Sequence, residues 1–197
     1  MVKFYIDIDG CIRNLVAAVD RLYCDQYPGE EPEVVPVYDM AMRYLRWWED
    51  TWDIVFRQHV DRLFNFDAEQ YPGAIDAVNW LHSQDEVKVA LLSKQSDQRI
   101  VATDLWLDAQ GLDSSIERIY IDKISKGEYI LGVDDALQTI MIDDSPDEIE
   151  SVMGVVDYPI MIIRPWNETF REGNPSTNLM TNVAVQPLQR LLNTLED

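Results

Sequence analysis

Two aspartates stand one residue apart where an apolar segment ends. Asp7 and Asp9 follow the apolar residues 3–6, and Gly10 comes directly after them. If this segment is a strand, both carboxylates leave the same face of the chain, because side-chain direction repeats every two residues. Two negative charges this close repel each other unless a cation balances them. The pair therefore indicates a site for a hard divalent metal, usually Mg²⁺, beside a carboxylate that could attack a phosphate ester.

A plain turn is the other interpretation of the same residues. The pattern Asp-x-Asp-Gly is common at turns and in loops that bind calcium, so one strand end does not establish catalysis. The choice between the two interpretations depends on the residues at the ends of the other strands.

Four further apolar segments are typical of strands in a parallel sheet that helices cover on both faces. These segments are residues 87–92, 118–121, 139–142 and 160–163. Helices are indicated between them by the spacing of apolar residues or by a favourable helix start, in residues 74–81, 100–109 and 147–153. Strands that alternate with helices predict an α/β fold with a doubly wound parallel sheet.

Polar side chains follow each of the first four strands. They are Asp7 and Asp9 after the first, Ser93 and Lys94 after the second, Lys123 and Lys126 beyond the third, and Asp143 and Asp144 at the end of the fourth. Ligands of doubly wound sheets bind at the carboxyl ends of the strands. The coincidence predicts one site at that edge, and it is much more specific than any single motif.

Residues 15–70 interrupt the alternation of strands and helices. We expect them to form a small helical cap, inserted into a core domain made of residues 1–14 and 71–197. The cap is rich in aromatic residues, among them Trp47, Trp48, Trp52 and Phe56. We expect this cluster to be the cap's own core, although one or two of its rings could face the cleft and stack on a nucleobase. Residues 167–182 are polar and predict a loop, and a closing helix is expected over 187–195.

Composition limits the class of protein and its partners. The chain has 197 residues, 47% of them hydrophobic, which is enough for a full core. Its formal net charge of −20 argues against a surface that binds nucleic acid. A phosphate site would therefore need local cations. Cys11 and Cys24 are the chain's two cysteines, and their spacing resembles neither a zinc site nor a disulfide framework.

No apolar stretch of the sequence is long enough to cross a bilayer. The chain opens with a core strand, so no signal peptide is expected. These features predict a cytoplasmic protein without a membrane partner, either a monomer or a homodimer.

In their order and spacing these residues resemble the haloacid dehalogenase superfamily of phosphohydrolases, over nearly the whole chain. The four signatures that carry the resemblance are Asp7-Ile8-Asp9-Gly10, Ser93, a lysine at 123–126, and Asp143-Asp144. Further details resemble the 5′(3′)-deoxyribonucleotidase group: the insertion after the first motif, Tyr71-Pro72-Gly73-Ala74, Ile142-Asp143-Asp144-Ser145-Pro146-Asp147 and Arg164-Pro165-Trp166-Asn167.

The resemblance implies a role for each catalytic residue. Asp7 would attack phosphorus and form an aspartyl-phosphate. Asp9 would protonate the leaving alcohol and then activate water for the second step. Ser93 would donate a hydrogen bond to a phosphate oxygen, and Lys126 would neutralise both the phosphate and Asp7.

The resemblance also implies the binding residues. Gly10 and Lys94 would contact the substrate, and Mg²⁺ would be held by Asp7, the main-chain carbonyl of Asp9 and Asp143. Two of the assignments stay open at this point, namely which lysine and which aspartate.

Lys126 is preferred over Lys123 as the active-site lysine, because a helix is expected to begin at Lys126. Asp143 is preferred over Asp144 as the direct metal ligand, because it immediately follows the strand. Asp144 would then support the site through a hydrogen bond.

The function expected from these observations is a Mg²⁺-dependent phosphomonoesterase that acts on a small phosphate ester, a nucleoside 5′- or 3′-monophosphate. One alternative is a polynucleotide 3′-phosphatase, which the acidic composition argues against. Another is a non-catalytic protein that binds phosphate or Mg²⁺ and serves as an interaction module.

Overall fold

A parallel sheet forms the centre of the computed structural model, which describes residues 1–35, 40–96, 98–133, 138–174 and 177–195. Within these ranges its six strands are β1 (Val2–Ile6), β2 (Val87–Lys94), β3 (Glu117–Ile121), β4 (Gln138–Asp143), β5 (Tyr158–Ile162) and β6 (Asn178–Met180). Their order is β3-β2-β1-β4-β5-β6, and every pairing is parallel. The predicted fold class, a doubly wound α/β sheet, is confirmed.

Residues 4–6 of β1 and 140–142 of β4 are apolar because both faces of the sheet are covered. Phe4 and Ile6 of β1 belong to the core on one face, whereas Tyr5 between them belongs to the core on the other. The same alternation holds in β4, where Ile140 and Met141 pack on opposite faces. A half-exposed sheet would show alternating polar residues here.

The helices of the structure cover the two faces of the sheet and build the insertion. They are α1 (Leu15–Gln26), α2 (Met40–Arg43), α3 (Thr51–Asp53), α4 (Ala74–His82), α5 (Gln98–Ala109), α6 (Lys126–Gly132), α7 (Pro146–Val152), α8 (Glu168–Gly173) and α9 (Val185–Leu195). No helix of the described residues combines the length and the apolar character that crossing a bilayer requires.

The segment after β5 differs from the expectation of a loop over residues 167–182. The structure has α8 and the edge strand β6 there, while residues 175–176 lie outside the described part of the chain. The prediction of a loop was wrong because β6 is short and two of its three residues are exposed, so it shows no apolar run. Its place in the sheet rests on backbone pairing with β5.

The insertion has a hydrophobic cluster of its own. Short helical pieces follow α1: a 3₁₀ turn at Trp48–Asp50, then α3, then π-helical turns at Ile54–Gln58 and Arg62–Phe66. Buried in the cluster are Tyr23, Tyr44, Trp47 and Phe64, among others. Trp47 therefore serves the packing of this segment, as expected of the aromatic cluster, whereas Trp48 and Trp52 are about half exposed, at 49% and 47%.

Candidate active site

The sheet reverses its strand order at β1, which pairs with β2 on one side and β4 on the other. Ligands of doubly wound sheets bind at such a position, beyond the carboxyl ends of the strands. A cleft of about 750 Å³ opens there. All the predicted site residues line it: Asp7, Asp9, Gly10, Ser93, Lys94, Lys126 and Asp143.

Lys126 lies between two carboxylates at the base of this cleft. Its Nζ donates to Asp7 Oδ1 at 2.5 Å and to Asp143 Oδ2 at 2.6 Å, and all three side chains are buried. Ser125 caps the helix that Lys126 begins, through reciprocal hydrogen bonds with Glu128. Lys123, the other candidate, is exposed and is not among the residues that line the cleft.

Burial and neighbouring charges shift the pKa values of this group. Burial raises the pKa of Asp7 to about 7, and the charge of Asp143 adds to the shift while that of Lys126 opposes it. For Lys126, burial alone would lower the pKa, but the carboxylates of Asp143 and Asp7 outweigh burial and raise it. The lysine therefore stays charged in this site.

Asp144 is another buried carboxylate, and it lies against the turn that Gly10 makes. Gly10 has a φ of +82°, and a Cβ there would come within 2.3 Å of the Asp144 carboxyl carbon. Glycine is therefore required for the turn and for the space beside it. Burial, followed by the charges of Asp143 and Asp7, raises the pKa of Asp144.

The segment after β5 holds Gly10 and Asp144 in place. Arg164 donates from Nε to the Gly10 carbonyl at 2.8 Å, and Trp166 donates from Nε1 to Asp144 Oδ2 at 2.7 Å. Asn167 is fully buried and donates to the carbonyl of Asp144 at 3.0 Å. In the sequence, this segment was notable only for its resemblance to the deoxyribonucleotidase group. The structure gives it a physical role, because its side chains hold Gly10 and Asp144 by hydrogen bonds.

Asp9 has a partner that sequence reasoning did not single out. Arg13 binds both oxygens of the Asp9 carboxylate, from Nε at 2.7 Å and from Nη2 at 3.0 Å. Gln95 donates to Asp9 Oδ2 at 3.1 Å and lies 3.4 Å from the Ser93 hydroxyl. The available signal was an arginine within an apolar stretch, four residues after a carboxylate.

Lys94 contacts the site through an ion pair. Its Nζ lies 2.9 Å from Glu148 Oε1, and Glu148 Oε2 accepts a hydrogen bond from the backbone of Lys126 at 2.9 Å. Lys94 therefore faces the cleft with one carboxylate partner already bound.

The opposite wall of the cleft comes from the insertion and is aromatic. Trp52 and Phe56 stack with ring centroids 5.1 Å apart and an interplanar angle of 15°. Both rings line the cleft, together with Arg57 and Arg99. The insertion therefore presents flat apolar surface to the cleft, beside Arg57, which pairs with Asp53, and next to Arg99 of α5.

The donor set at the base of the cleft fits Mg²⁺. Oxygens of Asp7 and Asp144 lie with the Cys11 sulfur within 4.8 Å of one another. The cluster of Asp7, Asp143 and Asp144 holds three carboxylates against the single ammonium of Lys126, a deficit that a divalent cation would balance. Burial raises the pKa of Cys11, so no soft thiolate competes with the oxygens.

Comparison of the whole chain with known proteins identifies solved structures with a similar fold. No family model matches the sequence, and no curated protein matches it either. Solved structures do match the fold. A haloacid dehalogenase-like protein of unknown function from Agrobacterium tumefaciens has a TM-score of 0.64 at 13% identity, over 99% of both chains.

Two enzymes of defined activity match in the same way. L-2-haloacid dehalogenase from Xanthobacter autotrophicus, solved with chloropropionic acid covalently bound, has a TM-score of 0.61 at 14% identity, over 98% of this chain and 99% of that one. D,D-heptose 1.7-bisphosphate phosphatase from B. bronchiseptica, solved with magnesium and phosphate, has a TM-score of 0.56 at 15% identity, over 98% and 99%. The chain shares the fold of haloacid dehalogenase-like hydrolases.

Proposed function

We propose that the protein is a Mg²⁺-dependent phosphomonoesterase that acts through an aspartyl-phosphate on a nucleoside 5′- or 3′-monophosphate. The observation that supports this most is the position of Lys126, buried between Asp7 and Asp143 where the central strands end. The proposal treats residues 15–70 as a cap over a core of residues 1–14 and 71–197.

In the first step Asp7 is the nucleophile. One of its carboxylate oxygens attacks phosphorus, and the bond between phosphorus and the ester oxygen breaks. The ammonium of Lys126 and the hydroxyl of Ser93 bind the non-bridging oxygens, where negative charge accumulates. Both side chains are buried and line the cleft, so these groups are in place before the substrate arrives.

Asp9 handles the protons of both steps. It gives a proton to the leaving alkoxide as the ester bond breaks, which makes the departing group a neutral alcohol. It then takes a proton from the water that attacks the aspartyl-phosphate. That attack releases inorganic phosphate and restores the carboxylate of Asp7.

Asp7, the main-chain carbonyl of Asp9 and an oxygen of Asp143 or Asp144 would hold Mg²⁺. Asp144 groups with Asp7 in the structure, whereas Asp143 Oδ2 accepts from Lys126 and its Oδ1 accepts from the Ser145 amide at 2.9 Å. When bound, the ion would offset the charge of the nucleophile and of the phosphate.

The aromatic wall supports a nucleotide as the substrate. The stacked pair of Trp52 and Phe56 offers a flat surface to a base, and base–aromatic stacking contributes about 1–3 kcal/mol per base. Cation–π contact between Arg99 of α5 and Phe56, at 5.2 Å, helps to hold the Phe56 ring in place.

The fold alone does not select the reaction, since the matching structures include a dehalogenase and a phosphatase. The residues distinguish the two chemistries. A halide leaves as a stable anion and needs no proton, whereas an alkoxide needs one, and Asp9 stands two residues from the nucleophile to supply it.

The test is a release assay on purified protein with Mg²⁺, over deoxy- and ribonucleotides, sugar phosphates, phosphorylated oligonucleotides and 2-chloropropionate. We expect phosphate release from nucleoside monophosphates, loss of release with a chelator, and recovery when Mg²⁺ is returned. Chloride release, or preference for oligonucleotide ends with steep salt dependence, would replace the proposal with another reaction. Mg²⁺ binding without turnover of any ester would point to a non-catalytic protein.

A further inference from the structure

Arg13 is a charged side chain with no exposed surface, an arrangement that is costly unless every charge is paired. Its guanidinium lies over the Phe64 ring at 4.7 Å and the Trp106 ring at 5.2 Å from the centroids. Nε and Nη2 bind Asp9, and Nη1 donates to Thr103 Oγ1 at 3.0 Å. Packing and hydrogen bonds therefore fix this side chain in one position.

The hydrogen bonds around Asp9 close into a ring. Thr103 donates to Gln95 Oε1 at 2.7 Å, and Gln95 donates to Asp9 Oδ2 at 3.1 Å, while Arg13 binds both Asp9 and Thr103. Arg13, Gln95 and Thr103 are all buried. A carboxylate held on both oxygens by such a ring has little freedom to rotate.

The same ring determines which oxygen of Asp9 can exchange a proton. A carboxylate offers about four acceptor positions, two on each oxygen. Among the described residues, Arg13 and Gln95 take two positions on Oδ2, and Arg13 takes one on Oδ1. The remaining position belongs to Oδ1, and Asp9 is the member of the ring that lines the cleft.

Arg13 also joins Asp9 to the insertion. Its Nη1 donates to the Phe64 carbonyl at 2.8 Å, and Phe64 belongs to the π-helical turn Arg62–Phe66. That turn packs against α5, the helix that carries Thr103. One guanidinium thus contacts the Asp9 carboxylate, the insertion and a core helix.

We propose that Arg13, supported by Gln95 and Thr103, is the positioning residue of Asp9, and that it fixes Oδ1 as the oxygen that exchanges the proton. This inference rests on the proposed function. Arg13 is not among the residues that line the cleft, and it reaches the site only through the Asp9 carboxylate. Arg13 affects turnover only by positioning Asp9. A substitution of Arg13 should therefore have no effect in a variant whose residue 9 cannot transfer a proton.

The experiment compares Arg13→Lys, Asp9→Asn and the double variant. Lysine keeps the buried charge but cannot bind both carboxylate oxygens in a fork. We expect Arg13→Lys to lower kcat/KM for a nucleoside monophosphate by about 10- to 100-fold, the effect of a displaced catalytic group. In the Asp9→Asn background the same substitution should change kcat/KM less than about twofold.

A second readout separates positioning from a general loss of structure. The leaving group 4-nitrophenolate needs little protonation, so Arg13→Lys should lower kcat/KM much less for 4-nitrophenyl phosphate than for the nucleotide. Thr103→Val, which removes two hydrogen bonds of the ring at constant shape, should show the same pattern more weakly. Arg118→Lys is the matched control, since Arg118 pairs with Asp104 and Asp108 away from the cleft.

The possible outcomes distinguish the two proposals. If Arg13→Lys and Thr103→Val fold and lower kcat/KM by the same factor for both esters, or lower it equally with and without Asp9, then Arg13 is only structural and this inference is wrong while the phosphatase stands. A wild-type protein that hydrolyses no phosphate ester would overturn both proposals.

Discussion

The two walls of the cleft differ in how far their side chains are buried. At the strand ends, Asp7, Ser93 and Lys126 are buried; Lys126 of α6 binds Asp7 at the end of β1, and Gln95 contacts the Ser93 hydroxyl. On the insertion side, the side chain of Arg57 is 83% exposed and Trp52 is about half exposed, in short helical pieces. In the proposed function, the buried groups at the strand ends carry out the reaction, and the exposed groups of the insertion bind the rest of the substrate. Substitutions at the strand ends should therefore abolish chemistry, and those on the insertion should shift binding.

Removal of Asp7, the proposed nucleophile, should have the largest effect. We expect Asp7→Asn to lower kcat to background, a loss on the order of 10⁵- to 10⁶-fold as for other covalent nucleophiles. Phosphate release with Mg²⁺ measures it. Asp108→Asn, an exposed carboxylate that pairs with Arg118, should keep full activity. Activity retained in Asp7→Asn would remove Asp7 as nucleophile.

Lys126 and Lys123 offer a sharper comparison, because only one is buried between carboxylates. We expect Lys126→Met to lower kcat/KM by about 10²- to 10³-fold, since it removes a preorganised donor to the phosphate. Lys123→Met should leave kcat/KM unchanged. The reverse pattern would reassign the active-site lysine.

The same Asp7→Asn variant should be more stable than the parent when metal is removed. The folded pKa of Asp7 is raised from 3.8 to about 7. The stabilisation that goes with a raised carboxyl pKa is full below the unfolded value and is lost as pH rises through about 7. Asparagine is neutral and does not lose this stabilisation. The variant's free energy of unfolding above pH 7 should therefore exceed the parent's by on the order of a few kcal/mol. Melting with chelator should show a larger gain in Tm at pH 8 than at pH 5.

A gain in Tm that is equal at both pH values would mean that burial does not destabilise the Asp7 carboxylate. The wild type must be measured in parallel, because Asp144 also has a raised pKa and gives the parent its own pH dependence. The difference between the two proteins isolates Asp7.

The strand ends could be predicted from the sequence because local rules determine them. Apolar runs mark the strands, the fold class brings their carboxyl ends together, and Ser125 three residues before Glu128 marks the start of the helix at Lys126. The distant partners of Asp9 and Asp144 could not be predicted this way. Gln95 and Asn167 reach them across the tertiary structure, and side-chain spacing along the chain contains no such information.

The positions of the tryptophan rings in the insertion could not be predicted from the sequence either. Trp47, Trp48 and Trp52 lie within six residues of one another, yet one is buried in the insertion, one is half exposed away from the cleft lining, and one faces the cleft. The short 3₁₀ and π-helical turns of this segment break the 3.6-residue period. Helical spacing therefore cannot assign the three rings to faces.

Close packing of α6 on α7 is what lets Lys126 reach the strand ends, and Gly127 makes it possible. A Cβ at Gly127 would come within 1.9 Å of the Ser151 carbonyl oxygen. We expect Gly127→Ala to destabilise the protein by about 1–3 kcal/mol, measured by urea unfolding. Gly132→Ala, in the same helix with no atom within 4 Å of its Cβ position, should be neutral or slightly stabilising.

If Gly127→Ala instead kept full stability, α6 and α7 could separate without cost, and the buried position of Lys126 would not depend on their contact. Activity should fall in parallel with stability, because a shift of α6 moves the ammonium away from Asp7 and Asp143.

The smallest effect should come from the aromatic wall. We expect Trp52→Ala to raise KM for a nucleoside monophosphate by about 5- to 10-fold, because one base-stacking ring contributes about 1 kcal/mol or slightly more. Ribose 5-phosphate has no base, so its KM should not change. Trp48→Ala is the matched control, since Trp48 is as exposed as Trp52 but does not line the cleft. Equal changes for both esters would mean that Trp52 shapes the insertion rather than binding a base, and the substrate would then be assigned by its phosphate alone.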